Sequence, residues 1–549
     1  MKLFLAVTNC FLLLILQNDL QAQWKKTEKK EKNDTEYIQN LINEANAGDT
    51  VKLPERIYYA QTIHLKSGVS LYTKGLIKQL PPDTTEDCTL SKQFSKYPLF
   101  YGKDVHRLSL TFNAHSYGEA IHLSKSADVA IEDAKIIGDS TKLHSFAGIY
   151  LYRCNAIEIE RVEVANYGKK RQSSSIYQRG TGIRAQSSRQ VAVRNSEIHH
   201  NGENGIFFHS CADIDVHHND IHHNGMSGIQ VAFGSVGIEN NYKITYNNLH
   251  TNAADAIDIN NPDFTRMVDL EALIEGNESS DNGWVSEDKT RDGSGIATLV
   301  GLKNVLVKHN KSIRSNRPSI YLRECDMIEV RDNEADNFAE IVGKQGQVLL
   351  YKNKFAGLRL LSDLKAKKLT LDSNNISDLA IPNGIMVDSL VFLANDLKGN
   401  VNVNMAGKLI FKNNVLLSSS PRGAIALWKV NGAVVTGNQI SMTGNNDALY
   451  IHNSAADVLI EANKINSLKV CIKDAGSHQL KIIKNTLATS NSDSLALALI
   501  STNPNNLHLQ GNSYYLGKEK SEKAIGLEGE GKVYMKGESY KLSSPDGDD

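Results

Sequence analysis

No charge of either sign prevails in this sequence: 61 lysines and arginines stand against 62 aspartates and glutamates, a formal net charge of −1. That balance excludes a molecule-wide field for nucleic acid or an anionic membrane, so any polyanion must be met by a local patch. Beyond the N-terminus no apolar run is long enough to span a bilayer, and no membrane insertion is expected. The Trp-Asp marks and four-strand units of a β-propeller are missing. Cysteine is scarce, with six in 549 residues.

The one long apolar run, Leu3 to Leu16 between Lys2 and Leu20-Gln21-Ala22, reads as a secretory signal over residues 1–22. A soluble periplasmic or secreted monomer is expected, with a polar, Lys-rich leader at 23–34. Asn33 and Glu36 have capping-box spacing ahead of a helix whose apolar face is Tyr37, Ile38, Leu41, Ile42 and Ala45, with Gly48 placed to end it.

Four segments then open on the same step, Gly182-Ile183, Gly205-Ile206, Gly228-Ile229 and Ala256-Ile257, the first three at a period of 23 residues. A fixed period of that size marks a stack of identical structural units. An Asn shortly before an apolar position recurs from Asn219 through Asn247, Asn277, Asn310, Asn333, Asn353, Asn374, Asn395, Asn414, Asn438, Asn463 and Asn485 to Asn512. One coil of three short strands and three turns consumes that much chain, and stacked Asn side chains can bond along a parallel ladder. The spacing predicts one all-β, single-stranded parallel β-helix, a solenoid, over residues 35–540, capped by the N-terminal helix and followed by a polar tail at 541–549. Irregular coils after Val342 leave room for a subdivision there. Cys154, Cys211 and Cys325 fall six residues after their opening positions and so share one column. At ~4.8 Å per strand, coils two apart are too distant for a disulfide, which makes these buried thiols.

Alternation along each strand places the isoleucine of every opening step inside and the second and fourth residues after the small residue outside. The outward pairs are His122 and Ser124, Tyr150 and Tyr152, Arg184 and Gln186, Phe207 and His209, Gln230 and Ala232, Asp258 and Asn260, Ala297 and Leu299, and Tyr321 and Arg323. Tyrosines, arginines, a histidine and amides on one strip differ from the Ser, Thr, Lys and Glu of a merely solvated wall. Two long insertions flank the strip, one carrying Lys169, Lys170 and Arg171, the other Trp284; they would supply cations and a stacking ring. The pairs His199-His200 and His222-His223, with His250, occupy equivalent turns; stacked imidazoles could hold a metal, but no carboxylate accompanies them at a ligand spacing, and no metal is assigned.

The helix followed by GDTV-x-LP and HLKSGVSL, residues 48–71, resembles the N-terminal cap and first coils of pectin-lyase-like right-handed parallel β-helix proteins. The resemblance implies action on acidic polysaccharides by cleavage or epimerisation, or glycoside hydrolysis. Hydrolysis needs two carboxylates facing one bond, and only Asp258 stands in the columns. Breaking the C5–H bond of a uronate needs other groups: Arg184 to neutralise the carboxylate, His209 as base, and Tyr150 as proton donor. Asp258 would orient a partner or bind a cation, calcium being the candidate. Tyr152, Gln186, Gln230, Asn260, Arg323, Trp284 and the Lys169–Arg171 loop would bind substrate. Mannuronan C5-epimerases carry Asp-Pro-His on such a coil, where this chain reads Ala256-Ile257-Asp258-Ile259-Asn260 and lacks the histidine. A polysaccharide lyase is the first reading, with epimerase, glycoside hydrolase and a non-enzymatic carbohydrate binder as alternatives.

Overall fold

The computed structural model describes residues 32–80, 97–139, 147–168, 180–234, 239–284, 295–382, 384–404, 407–490, 497–502, 506–516 and 524–541. The expected signal, most of the leader, the Lys169–Arg171 loop, Cys88 and nearly all of the polar tail lie outside these residues.

The helix spans Thr35–Glu44 and buries Ile38 and Ile42 against the first coil. Two details differ from expectation. Tyr37 is 45% exposed. The capping residue is Asp34, without a side-chain bond to the helix; its carboxylate instead accepts from Arg56 at 2.9 and 3.1 Å and from the Tyr59 amide at 3.1 Å. The helix is thereby tied to the first coil through an ion pair, and the Arg56 guanidinium also lies 3.8 Å over the Tyr58 ring.

Every strand pairing is parallel, and each strand pairs with the equivalent strand one coil away. The first sheet contains Ala147–Tyr152, Thr181–Gln186, Ile206–His209, Ile229–Ala232, Ile257–Asn260, Ala297–Val300 and Ile320–Arg323. The second runs from Ala127–Glu132 through Arg189–Arg194 and Ala212–His217 to Asp326–Arg331; the third includes Glu163–Ala165, Glu197–His199, Asp220–His222 and Asn248–His250. Ile183, Ile206, Ile229 and Ile257 stack in register and are fully buried, as the opening steps predicted. A single apolar core runs from Ile38 to Ala524. Cys154, Cys211, Cys325 and Cys471 are free, buried thiols.

The thirteen predicted asparagines form one ladder. Each Nδ2 from Asn219 to Asn485 donates to the Oδ1 of the next at 2.8–3.1 Å. Every member follows a residue in the left-handed region, such as His218, Tyr246 and Lys352 at φ 52–56°. That conformation turns the chain sharply between the second and third sheets, at about 1–2 kcal/mol for a residue with a Cβ. The buried amide bonds at each turn offset it.

After Val342 the coil changes section. Glu334–Val342 pairs with strands of both the third and first sheets, so the turn between them is lost. The ladder spacing drops accordingly to 19–21 residues between Asn333 and Asn414. From Val401 a separate six-stranded sheet takes over the face.

Candidate functional site

In the first sheet Tyr150, Arg184, Phe207, Gln230, Asp258 and Thr298 form one column, and Tyr152, Gln186, His209, Ala232, Asn260 and Val300 the next. The expectation of Ala297 and Leu299 in these columns is corrected. Gly295-Ile296 sits one residue out of step, so Thr298 and Val300 face outward, and Ala297 and Leu299 are core. Beyond Asn260 the strip turns apolar, with Val300, Tyr321 and Val342 in a cluster of their own. Arg323 is exposed, its guanidinium 5.0 Å over the Phe264 ring. The polar stretch therefore ends some coils earlier than the sequence suggested.

Arg184 is partly buried, 4.3 Å over the Phe207 ring and 3.8 Å from Glu203. The carboxylate of Glu203 accepts from the Thr181 hydroxyl at 2.8 Å. The planar guanidinium fork has the shape to receive a carboxylate in two parallel bonds. His209 stands on the next strand, opposite Gln186 rather than Arg184, so the two lie diagonally. Burial, and then the charge of Arg184, hold the His209 pKa below its ordinary 6.5. The imidazole is neutral at pH 7 and free to accept a proton.

Tyr150 departs from its expected role. It stands in the outward column but is 0% exposed, and its hydroxyl donates to Gln186 Oε1 at 3.1 Å. Burial first, and the Glu119 carboxylate next, push its phenol pKa up. The cause is a buried chain that the column pattern could not reveal. Glu119, in the turn before its strand, holds His122 Nδ1 at 2.8 Å, and the His122 ring packs edge-on to Tyr150 at 5.0 Å. Tyr152, one position outside the covered column, is only half-buried.

At the other end Gln230 accepts from Asn204 at 2.8 Å and donates to Asp258 at 3.0 Å. Asp258 is 8% and the neighbouring Asp255 6% exposed. Asp255 takes Thr298 Oγ1 at 3.0 Å and Ser227 Oγ at 3.4 Å. Sequence reasoning missed Asp255 and Glu203 because both lie in turns; their signal was an acid one or two residues before the opening small residue. Asn260 is half-buried at the strand end. Trp284 is partly exposed, and its indole donates to the Thr251 carbonyl at 3.1 Å, beside the histidines of the third sheet. Those histidines stack as predicted, but the expectation that no carboxylate joins them fails: Glu163, Glu197 and Asp220 lie 3.3–3.7 Å from their Nε2 atoms. A strand places residues i and i+2 on one face, which brings Glu197 to His199 and Asp220 to His222.

A separate open hollow of about 770 Å³ lies on the second sheet, lined by Arg107, Asp128, Glu158, Asp213 and Asp215 among others. Its acidic lining repels a polyuronate, so the first-sheet columns are the better candidate.

Residues 105–267, which include these columns from His122 to Asn260, match the family model described as "Right handed beta helix region". The fold is a right-handed parallel β-helix. Among solved structures, a tailspike protein of E. coli bacteriophage HK620 is 11% identical, covering 88% of this chain and 74% of its own at a TM-score of 0.35. An exopolygalacturonase from Thermotoga maritima is 14% identical, covering 82% and 88% at 0.26. A mannuronan C-5 epimerase A-module from Azotobacter vinelandii is 11% identical, covering 94% and 97% at 0.19. At these identities and scores the likenesses carry no argument. No curated protein matches the sequence. Among the described residues no helix is long and apolar enough to cross a membrane.

Proposed function

We propose that this β-helix is an exported polysaccharide lyase that cleaves a uronate-containing polymer by β-elimination on the first-sheet face. The observation that carries the reading is the diagonal pair of a partly buried Arg184, 3.8 Å from Glu203 and stacked over Phe207, and a half-buried His209 whose pKa is depressed. The Arg184 fork neutralises the uronate carboxylate and so acidifies the adjacent C5–H. His209 takes that proton, the electron pair forms the C4–C5 double bond, and the C4–O4 bond breaks. The proton for the departing O4 is assigned to Tyr152, since the hydroxyl of Tyr150 is buried on Gln186. Gln186, Gln230 and Asn260 bind hydroxyls and carboxylates of neighbouring sugars, and the basic Lys169–Arg171 loop adds local positive charge. Arg323 and Trp284, being outside the polar stretch, drop to peripheral contacts.

Hydrolysis has less support. Among the described residues Asp255 and Asp258 are both nearly covered and hydrogen-bonded, so they do not present the open carboxylate pair that glycoside hydrolysis requires. Epimerisation shares the first proton transfer and differs in returning a proton to C5. The test is incubation with alginate, pectate, chondroitin and hyaluronan, following ultraviolet absorbance of the unsaturated product and reducing ends in parallel. Rising absorbance supports the lyase. Reducing ends without absorbance mean a hydrolase, solvent-proton exchange at C5 without either means an epimerase, and binding alone means a carbohydrate-binding protein.

A further inference from the structure

The third sheet carries a second constellation away from the sugar face. His199, His222 and His250 stack ring on ring along three successive coils, with centroids 4.9 and 4.6 Å apart and planes within 7° and 11°. Each ring is fixed at Nδ1 by the next residue in the chain: His200 at 2.7 Å, His223 at 2.8 Å and the Thr251 hydroxyl at 3.2 Å. Each Nε2 is turned toward carboxylates. His222 Nε2 lies 3.3 Å from Glu197 Oε1, and His250 Nε2 lies 3.3 Å from Asp220 Oδ1.

These separations distinguish two readings. A charge-assisted hydrogen bond between imidazole and carboxylate closes to about 2.7–2.9 Å. Two ligands on one tetrahedral ion, each about 2.0–2.2 Å from it, stand about 3.3–3.5 Å apart. The gap between His250 Nε2 and Asp220 Oδ1, 3.3 Å, matches the second distance. Holding the other ring nitrogen by a hydrogen bond is also what orients a metal-binding histidine. Asp220, His222 and His250 offer one ligand atom each, all within 4.8 Å of one another. Their side chains are partly exposed, so small tilts can close the set without disturbing the core.

We propose that Asp220, His222 and His250 bind a divalent first-row transition ion, with zinc as the reference species. Mixed imidazole and carboxylate donors suit such an ion better than calcium, which takes oxygen ligands. The site stands on a different sheet from Arg184 and His209, so its existence is independent of the lyase reading. It ties the coil of Asp220–His222 to that of Asn248–His250 across the strand ladder.

The experiment uses the full mature chain without a histidine tag. Zinc and cobalt are added singly, excess is removed by gel filtration, and retained metal is measured by mass spectrometry together with the cobalt visible spectrum. One ion per chain is expected, with a cobalt band intense enough for four-coordinate geometry. His222→Gln should abolish retention, and Asp220→Asn should weaken it at least 10-fold, with both variants keeping the metal-free melting temperature. The control is the His217→Ala, His218→Ala double variant, whose pair on the second sheet has a similar Nδ1-to-Nδ1 contact of 2.9 Å; it should retain metal. No retained ion, retention that survives His222→Gln combined with His250→Ala, or equal loss in the control would overturn the site. Should His222→Gln lower the metal-free melting temperature, the Asp220→Asn titration decides.

Discussion

Replacing His209 by alanine is expected to lower kcat/KM on the natural uronate polymer by about 100- to 10,000-fold, the usual worth of a general base. Folding should be nearly unchanged, because the ring is half-buried at the end of its strand and contributes little to the core. The stronger check lies in the pH dependence. Burial and the Arg184 charge act in the same direction on His209, so its pKa lies below 6.5 and the acid limb of kcat/KM should fall below that value. Arg184 and His209 sit on neighbouring strands two residues out of line, about 7–8 Å apart by the usual sheet diagonal. At an effective dielectric of about 20–40, a unit charge at that range is worth about 1–2 kcal/mol against a second positive charge. Arg184→Gln should therefore raise the His209 pKa, read from the imidazole proton shift in an NMR titration. Turnover in the same variant should collapse for lack of the carboxylate fork. Near-normal turnover in His209→Ala, or an acid limb above 6.5, would refute the assignment of the base. An unmoved His209 titration in Arg184→Gln would show that the two groups do not share a site.

Tyr152→Phe should lower kcat at least 10-fold with little change in melting temperature, whereas Tyr150→Phe should change stability more than kcat; the reverse pattern in steady-state kinetics returns the proton donor to Tyr150. Asn374→Ala should cost about 3–5 kcal/mol in urea unfolding, since it strips amide bonds to Asn353, Asn395 and the Leu350 carbonyl and leaves buried partners unsatisfied. Arg56→Ala should cost about 1–2 kcal/mol at neutral pH, a value discounted for the 43% exposure of the arginine. Because Arg56 holds the Asp34 pKa below 3.8, that stabilisation is present above pH 3.8 and is lost as the pH falls through the depressed value. Wild type and variant should therefore converge in stability near pH 2.

What could be read from the sequence was whatever repeats. The opening isoleucines and the thirteen asparagines recur at one structural position per coil, so periodicity alone located them and named the columns beside them. Arg184, His209 and Gln230 followed directly. Residues fixed by non-periodic contacts did not. Tyr150 looked exposed because its column is exposed, yet the Glu119–His122 pair that covers it enters from a turn. Gly295-Ile296 imitated an opening step one residue early, and only the strand pairing of Asp258 with Thr298 exposes the slip. The acids beside the histidines escaped notice because a ligand spacing was sought along the chain, while the relevant neighbours lie partly on the adjacent coil.

The asparagine ladder makes the coils interchangeable at their seams. Each member presents the same donor and acceptor to the coil above and the coil below, whatever the intervening turns contain. Excising residues 354–374, the 21-residue interval between two ladder positions, would join Asn353 to Asn375 and bring Asn395 onto Asn353 with every amide still matched. The molecule would shorten by about 4.8 Å and keep its register. Distance along its surface is thus counted in coils rather than in residues, and a coil can be gained or lost without re-aiming the side chains of any other.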